Sequence, residues 1–228
     1  MEDAAWTALT WLEASVGLLA LALALAMRPW RLLVGGALLT PTLATLVLLP
    51  WLWLMPQNLP QGLALQFSGA PLVLLLLGWP LAVPVLALVA LLVGLLGEAP
   101  LPELLSQWFW MGLVPATLAL AVGAGLRRWL PPNIFIYTLG RAFLGTALAV
   151  FVAGVGFELI HHALGQQNLQ HALVARWIMA WGDAFLTGLI ASVFVAFAPQ
   201  WLATWSDARY LQPPPKLPAK KPPTQPGP

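Results

Sequence analysis

The stretch WGDAFLTG, residues Trp181 to Gly188, sets a carboxylate, Asp183, and a hydroxyl, Thr187, one helical turn apart inside an apolar run from Ala175 to Ala198. An ionisable group within such a run is costly in lipid, so its default reading is an interior polar anchor for a solute. A second carboxylate, Glu13, lies eight residues below Ala5, as Asp183 lies eight below Ala175. If both segments start at the same membrane face, each carboxylate sits ~12 Å deep and the two share one level. Arg141 is the obvious counter-charge, yet helical rise puts it ~10 Å above the opposite face against ~22 Å for Asp183. That gap favours snorkelling of Arg141 to lipid phosphates over an ion pair with Asp183. Glu158 and Arg176, both near the outer face, are the better expected pair.

A further cluster is FELIHH. Glu158, His161 and His162 share one helix face by their spacings of three and four, and His171 follows after a short loop, so ligands for a divalent cation can be drawn together at the outer rim. A solvated or hydrogen-bonded role for these histidines competes with that reading. The chain has no HExxH, GxSxG or phosphate-cradling glycine loop, so hydrolytic and nucleotide chemistry have no visible carrier and no enzyme is expected. It also has no cysteine, which removes disulfides, cysteine-ligated zinc and iron–sulfur clusters.

The elements that must position these groups are membrane helices. Of 228 residues 60% are hydrophobic and 8% charged, a composition no soluble domain shows, and apolar runs of about 20 residues, each able to cross a hydrocarbon core, recur from end to end. Segments such as Val16 to Ala26 are apolar on every face, which excludes a barrel of alternating polarity. The expected class is an all-α integral membrane protein. Five spans are expected at about Ala5 to Met27, Leu32 to Leu54, Gln107 to Leu126, Ile134 to His161 and Ala175 to Ala198. The 35 residues from Gly62 to Leu96 would form a helix of ~52 Å if continuous, and a break at Gly78-Trp79-Pro80 divides them into two short helices. Charge selects the broken form. With seven spans and the N-terminus outside, Arg28 and Arg31, Arg127 and Arg128, and the lysines of the tail all fall on the inner side, while the loop of Glu98 and Glu103 falls outside. Such Gly/Pro-interrupted segments are also where transporters place substrate sites, although a re-entrant packing feature fits this stretch as well.

The start, MEDAAW, lacks a basic region, so the first apolar segment is expected to stay as an anchor. Residues 1–211 form one expected transmembrane domain. Residues 212–228, QPPPKLPAKKPPTQPGP, are expected to be a proline-rich, disordered cytoplasmic tail. The net charge of +2 arises mostly there, and no nucleic-acid partner is expected. Small residues at spacings of three and four mark helix–helix faces in lipid. One face carries Glu13, Gly17, Ala20 and Ala24. A second carries Arg141, Gly145, Ala149, Ala153 and Gly156, and a third Ala180, Asp183, Ala184, Thr187, Gly188 and Ala191. The three helices are expected to be neighbours, and Asp183 to face the interior.

Two stretches, GLALQFSGAPLVLLLLGWPLAV and WGDAFLTGLIASVFVAFAPQWLATWSDARYL, resemble the CbiM-like membrane components of energy-coupling-factor transporters, in a proteobacterial permease-like branch. The likeness covers most of the chain up to Leu211. It implies a multi-pass protein of the bacterial cytoplasmic (inner) membrane that captures a substrate and works with a coupling membrane subunit and ATPases. Cobalt or nickel is the family's best-known cargo. The first span's LLALALALA is similar to the small-residue face, with Ala20 and Ala24, that such components set against the coupling subunit. Family members that bind cobalt or nickel begin Met-His, whereas this chain begins Met1-Glu2-Asp3, so their metal site maps onto no residue here. Two functions are therefore carried forward: capture of a small cationic solute, with Asp183, Glu13 and Thr187 as its binding groups, or a non-transporting structural or assembly subunit of a larger membrane complex.

Overall fold

The computed structural model describes residues 7–55, 57–59, 63–163 and 169–211; the expected tail lies outside the described residues. Helix α1 (Ala8–Ala26) starts at Thr7, whose hydroxyl accepts from the Thr10 amide. Helix α2 (Leu39–Leu54) begins seven residues later than its apolar run, because Gly36 has a φ of 73° and Pro29–Leu32 is a separate 3-10 turn. A small antiparallel hairpin, β1 (Gln57–Leu59) and β2 (Leu63–Leu65), pairs Gln57 with Leu65 and Leu59 with Leu63. Then come α3 (Ala70–Leu77), α4 (Trp79–Gly97), α5 (Leu101–Trp129), α6 (Ile136–Leu144 continuing as Gly145–Ala163), α7 (Leu169–Phe197) and the single turn α8 (Asp207–Tyr210).

Five of these helices, α1, α4, α5, α6 and α7, are long and apolar enough to cross a membrane, and α2 is a shorter apolar helix. The break at Gly78-Trp79-Pro80 is present: Gly78 has a φ of 73° and separates α3 from α4. The first of the two expected helices is, however, only eight residues, or ~12 Å, because it cannot extend back past Gly69, whose φ is 64°. The residues from Leu63 to Leu65 are strand instead.

Helices α5 and α6 each contain a π-type stretch, Trp108–Leu113 and Ile136–Leu144. The wider turn shifts the register of the main-chain bonds from four residues to five.

The core is built around α3 and α4, with Leu74, Leu77, Val83, Leu86 and Val89 fully buried. Antiparallel α6 and α7 are neighbours, as their small-residue faces imply: Gly188 sits so close to Phe143 that a Cβ there would lie 3.1 Å from the Phe143 Cβ. Helix α1 does not join them. Its neighbours are α4 and the first half of α5, with Gly17 seated against the Trp108 ring. The expectation of a three-helix group thus fails for α1, since a bulky indole selects a glycine face as well as another small face does. Ala24 is completely buried in the core, Ala20 is half-buried, and Gly145 packs on Val122 of α5. Leu18 and Leu19 of α1 and Val47 and Leu48 of α2 are more than half exposed, as helix faces toward lipid are.

Candidate functional site

Helix α3 is a half-length helix whose amino end must find partners for amides that have no carbonyl one turn back. Asp183 supplies them. Its Oδ2 accepts from the Ser68 amide at 2.8 Å and its Oδ1 from the Gly69 amide at 3.0 Å. The Ala70 amide donates to Ser68 Oγ at 3.2 Å, and Pro71 has no amide hydrogen to satisfy. Ser68 Oγ in turn donates to the Met111 carbonyl at 2.6 Å, a group whose partner one helical turn on would be Pro115, which has no amide hydrogen. Gly182 makes the approach possible, because a Cβ there would lie 2.8 Å from the Phe67 ring. The result is a fully buried carboxylate whose two oxygens are both engaged by main-chain amides at the positive end of a helix.

The far end of α3 is tied to the same helix. Beyond α7, the Ala203 amide donates to the Leu76 carbonyl at 2.9 Å, and the Thr204 hydroxyl donates to the Leu75 carbonyl at 2.9 Å. Tyr137 then donates its hydroxyl to Thr204 Oγ1, whose own proton is already committed to Leu75. One helix and its following turn thereby grip α3 at both ends.

Directly before α3 the chain borders an open polar cavity of about 330 Å³. Its polar lining is Gln66, Glu103, Ser106, Gln107, His161 and Arg176. Gln66 also donates to the Trp53 carbonyl at 2.8 Å, and Trp53 Nε1 donates to the Ser68 carbonyl at 3.0 Å, so the floor of the cavity is fixed to α2. Arg176 Nε is paired with Glu158 Oε1 at 2.8 Å, the ion pair the sequence favoured. Glu158 is buried and its Oε2 has no partner. Glu13, also buried, accepts from Trp110 Nε1 at 2.6 Å, and Trp110 lines the cavity.

Asp183 and Glu13 are not brought together. Helix α7 starts six residues earlier than its apolar run, so Asp183 lies 14 residues from each end, ~21 Å, while Glu13 is five residues below the start of α1, ~8 Å. Among the described residues they are connected through Ser68 on Met111 and Glu13 on Trp110, adjacent residues of α5. Thr187 is buried one turn beyond Asp183. Of the proposed metal ligands, Glu158 holds Arg176, and His161 is stacked on Phe157 with Nδ1 2.9 Å from the Phe157 carbonyl oxygen. The side chains of His162 and His171 lie outside the described residues. Among the described residues no three metal-ligating groups converge. Arg141 neither pairs with Asp183 nor snorkels: it is 4% exposed, folded against Gly123 and the Thr204 turn. Ser68 and Gln66 stood out in sequence as the polar side chains near the interrupted segment, whereas Thr204 and Tyr137 were not signalled, since a lone hydroxyl carries no pattern.

No protein-family model, curated protein or solved structure matches the chain.

Proposed function

We propose that the chain is the substrate-capturing transmembrane component of an uptake system, taking a small cationic solute from the outer face. The observation that carries this reading is the charge at the 330 Å³ cavity: Glu103 lines it, and two further carboxylates stand behind its wall, Glu158 bound to the lining Arg176 and Glu13 bound to the lining Trp110, against the single guanidinium of Arg176. A concave polar site beside a discontinuous helix is the arrangement that membrane carriers use to hold a solute near mid-bilayer. In this reading Asp183 builds the site without touching the solute, because both its oxygens are taken.

The topology that goes with it has seven crossings, with the N-terminus outside and the C-terminus inside. The third crossing is Gln66 to Leu77, extended through the outer half and helical through the inner half. Arg28 and Arg31 then share the inner side with Arg127 and Arg128. With no nucleotide-binding loop of its own, the chain draws energy from partners, a coupling membrane subunit and ATPases as in energy-coupling-factor transporters, in a bacterial inner membrane. It performs no catalysis. Cobalt and nickel are the first cations to test.

Titration of cobalt, nickel and ethylammonium onto the protein in lipid nanodiscs should show saturable binding of at least one, weakened about tenfold in Glu103→Gln, a rim variant that leaves the helices intact. If none binds, and cobalt and nickel uptake is the same in cells with and without the protein, the cationic-solute reading is wrong. Recovery of a large membrane complex in place of ATPases would favour the structural-subunit role.

A further inference from the structure

The opposite end of the molecule holds a second charged cavity that solute capture does not use. We propose that it is a binding site for a phosphate group, held by Arg141 and Arg127. The cavity measures about 220 Å³ and is lined by Gly123, Arg127, Tyr137, Arg141 and Tyr210 among others. Its volume is several times the ~30 Å³ share of one water, enough for a phosphate.

Arg141 is the unexplained group. An arginine stays charged, and a charge taken out of water needs a counter-charge or a full set of hydrogen bonds. Here Nη1 reaches the Thr204 carbonyl, at 3.5 Å, the Tyr210 side chain is a neutral hydrogen-bond partner, and the guanidinium carbon is 5.8 Å from the centre of the Tyr137 ring. Nε and Nη2 are buried with no partner. Among the described residues the only ion pair is Glu158 with Arg176, at the other end of α6, and Asp207, three residues before Tyr210, accepts from Trp205 Nε1. No carboxylate of the described chain therefore serves Arg141.

Three further features fit an anion arriving from outside. Gly123 lies against the guanidinium so closely that a Cβ would stand 2.6 Å from Nε, and its absence leaves Arg141 room beside α5. Arg127, exposed at the mouth, adds a second fork, and paired guanidinium forks match the spacing of phosphate oxygens. The Tyr210 ring is held at the cavity by stacking on Trp205, centroids 4.7 Å apart, and by an edge contact with Tyr137. Two sources present this chemistry at the end of a membrane helix: a lipid headgroup and a soluble phosphate.

Calorimetric titration of the purified full chain in detergent distinguishes them, using dihexanoyl-phosphatidylglycerol, inorganic phosphate and the uncharged dihexanoylglycerol, with native mass spectrometry for any lipid retained through purification. Saturable binding of the phosphatidylglycerol alone, or a retained one-to-one phospholipid adduct, identifies the bilayer as the source. Saturation by inorganic phosphate identifies the solution. In either case Arg127→Gln, an exposed position that does not disturb folding, should weaken binding or retention about tenfold. The proposal is overturned if neither phosphate probe binds and no adduct is retained, if dihexanoylglycerol binds as well as its phosphorylated counterpart, or if Arg127→Gln binds as tightly as the wild type.

Discussion

Asp183 Oδ1 lies 3.0 Å from the amide nitrogen of Gly69, 114 residues earlier in the chain, and so caps a helix to which it does not belong. With Oδ2 on the Ser68 amide, the carboxylate satisfies two donors that have no water to turn to. Alanine at 183 should leave both unpaired and cost about 1–3 kcal/mol for each. Asparagine keeps one acceptor oxygen and should fall between. Thermal unfolding in a mild detergent should rank wild type above Asp183→Asn above Asp183→Ala, and equal stability for the alanine variant would sink the capping role.

Gly69 is fixed by its backbone. Its φ of 64° lies in the left-handed region, and a Cβ would stand 2.8 Å from Leu49 Cδ1. Gly69→Ala should therefore lose about 1–2 kcal/mol to the backbone alone, with the Leu49 contact added. Gly35 is the control, with nothing within 4 Å of the added carbon, and Gly35→Ala should shift stability by less than about 0.5 kcal/mol. A Gly69→Ala protein that melts with the wild type would show that α3 can start elsewhere.

Glu158 and Arg176 should be coupled. The carboxylate is buried while the arginine side chain is 27% exposed, so solvent screening limits the pair to roughly 1–2 kcal/mol. Glu158→Gln and Arg176→Gln should each destabilise, and the double variant should lose less than their sum. Additive losses in that cycle would mean that the 2.8 Å contact contributes nothing.

Trp110 connects Glu13 to the cavity wall. Trp110→Phe keeps an aromatic ring but removes the indole donor, leaving a buried carboxylate short of its 2.6 Å partner, at about 1–3 kcal/mol. The companion Glu13→Gln should largely restore stability, because a neutral amide needs less stabilisation. If Trp110→Phe is harmless on its own, Glu13 is hydrated and the bond is dispensable.

Much of this was legible in the sequence for a simple reason: the side-chain pattern of a membrane helix is dictated by its surroundings. Uninterrupted apolar length marks a helix in lipid, Gly78-Trp79-Pro80 marks a break, and small residues at spacings of three and four mark the α6 to α7 contact. Glu158 and Arg176 could be paired because both sit near one end of adjacent apolar runs. The hairpin of Gln57–Leu59 with Leu63–Leu65, the late starts of α2 and α3, and the six extra residues of α7 were hidden, since each follows from backbone angles or flanking turns that apolarity does not record.

From the sequence alone it follows that this is a helical membrane protein and that Asp183 points inward, because burying a carboxylate toward lipid is too costly. Only the tertiary structure decides what it meets there. A search for counter-charges compares Asp183 with Arg141 and Glu13, but the partners are main-chain amides, which every residue but proline carries and no pattern singles out. The amides of Ser68 and Gly69 become available only because α3 begins deep in the fold, next to Gly182, and the depth of that start is a property of packing.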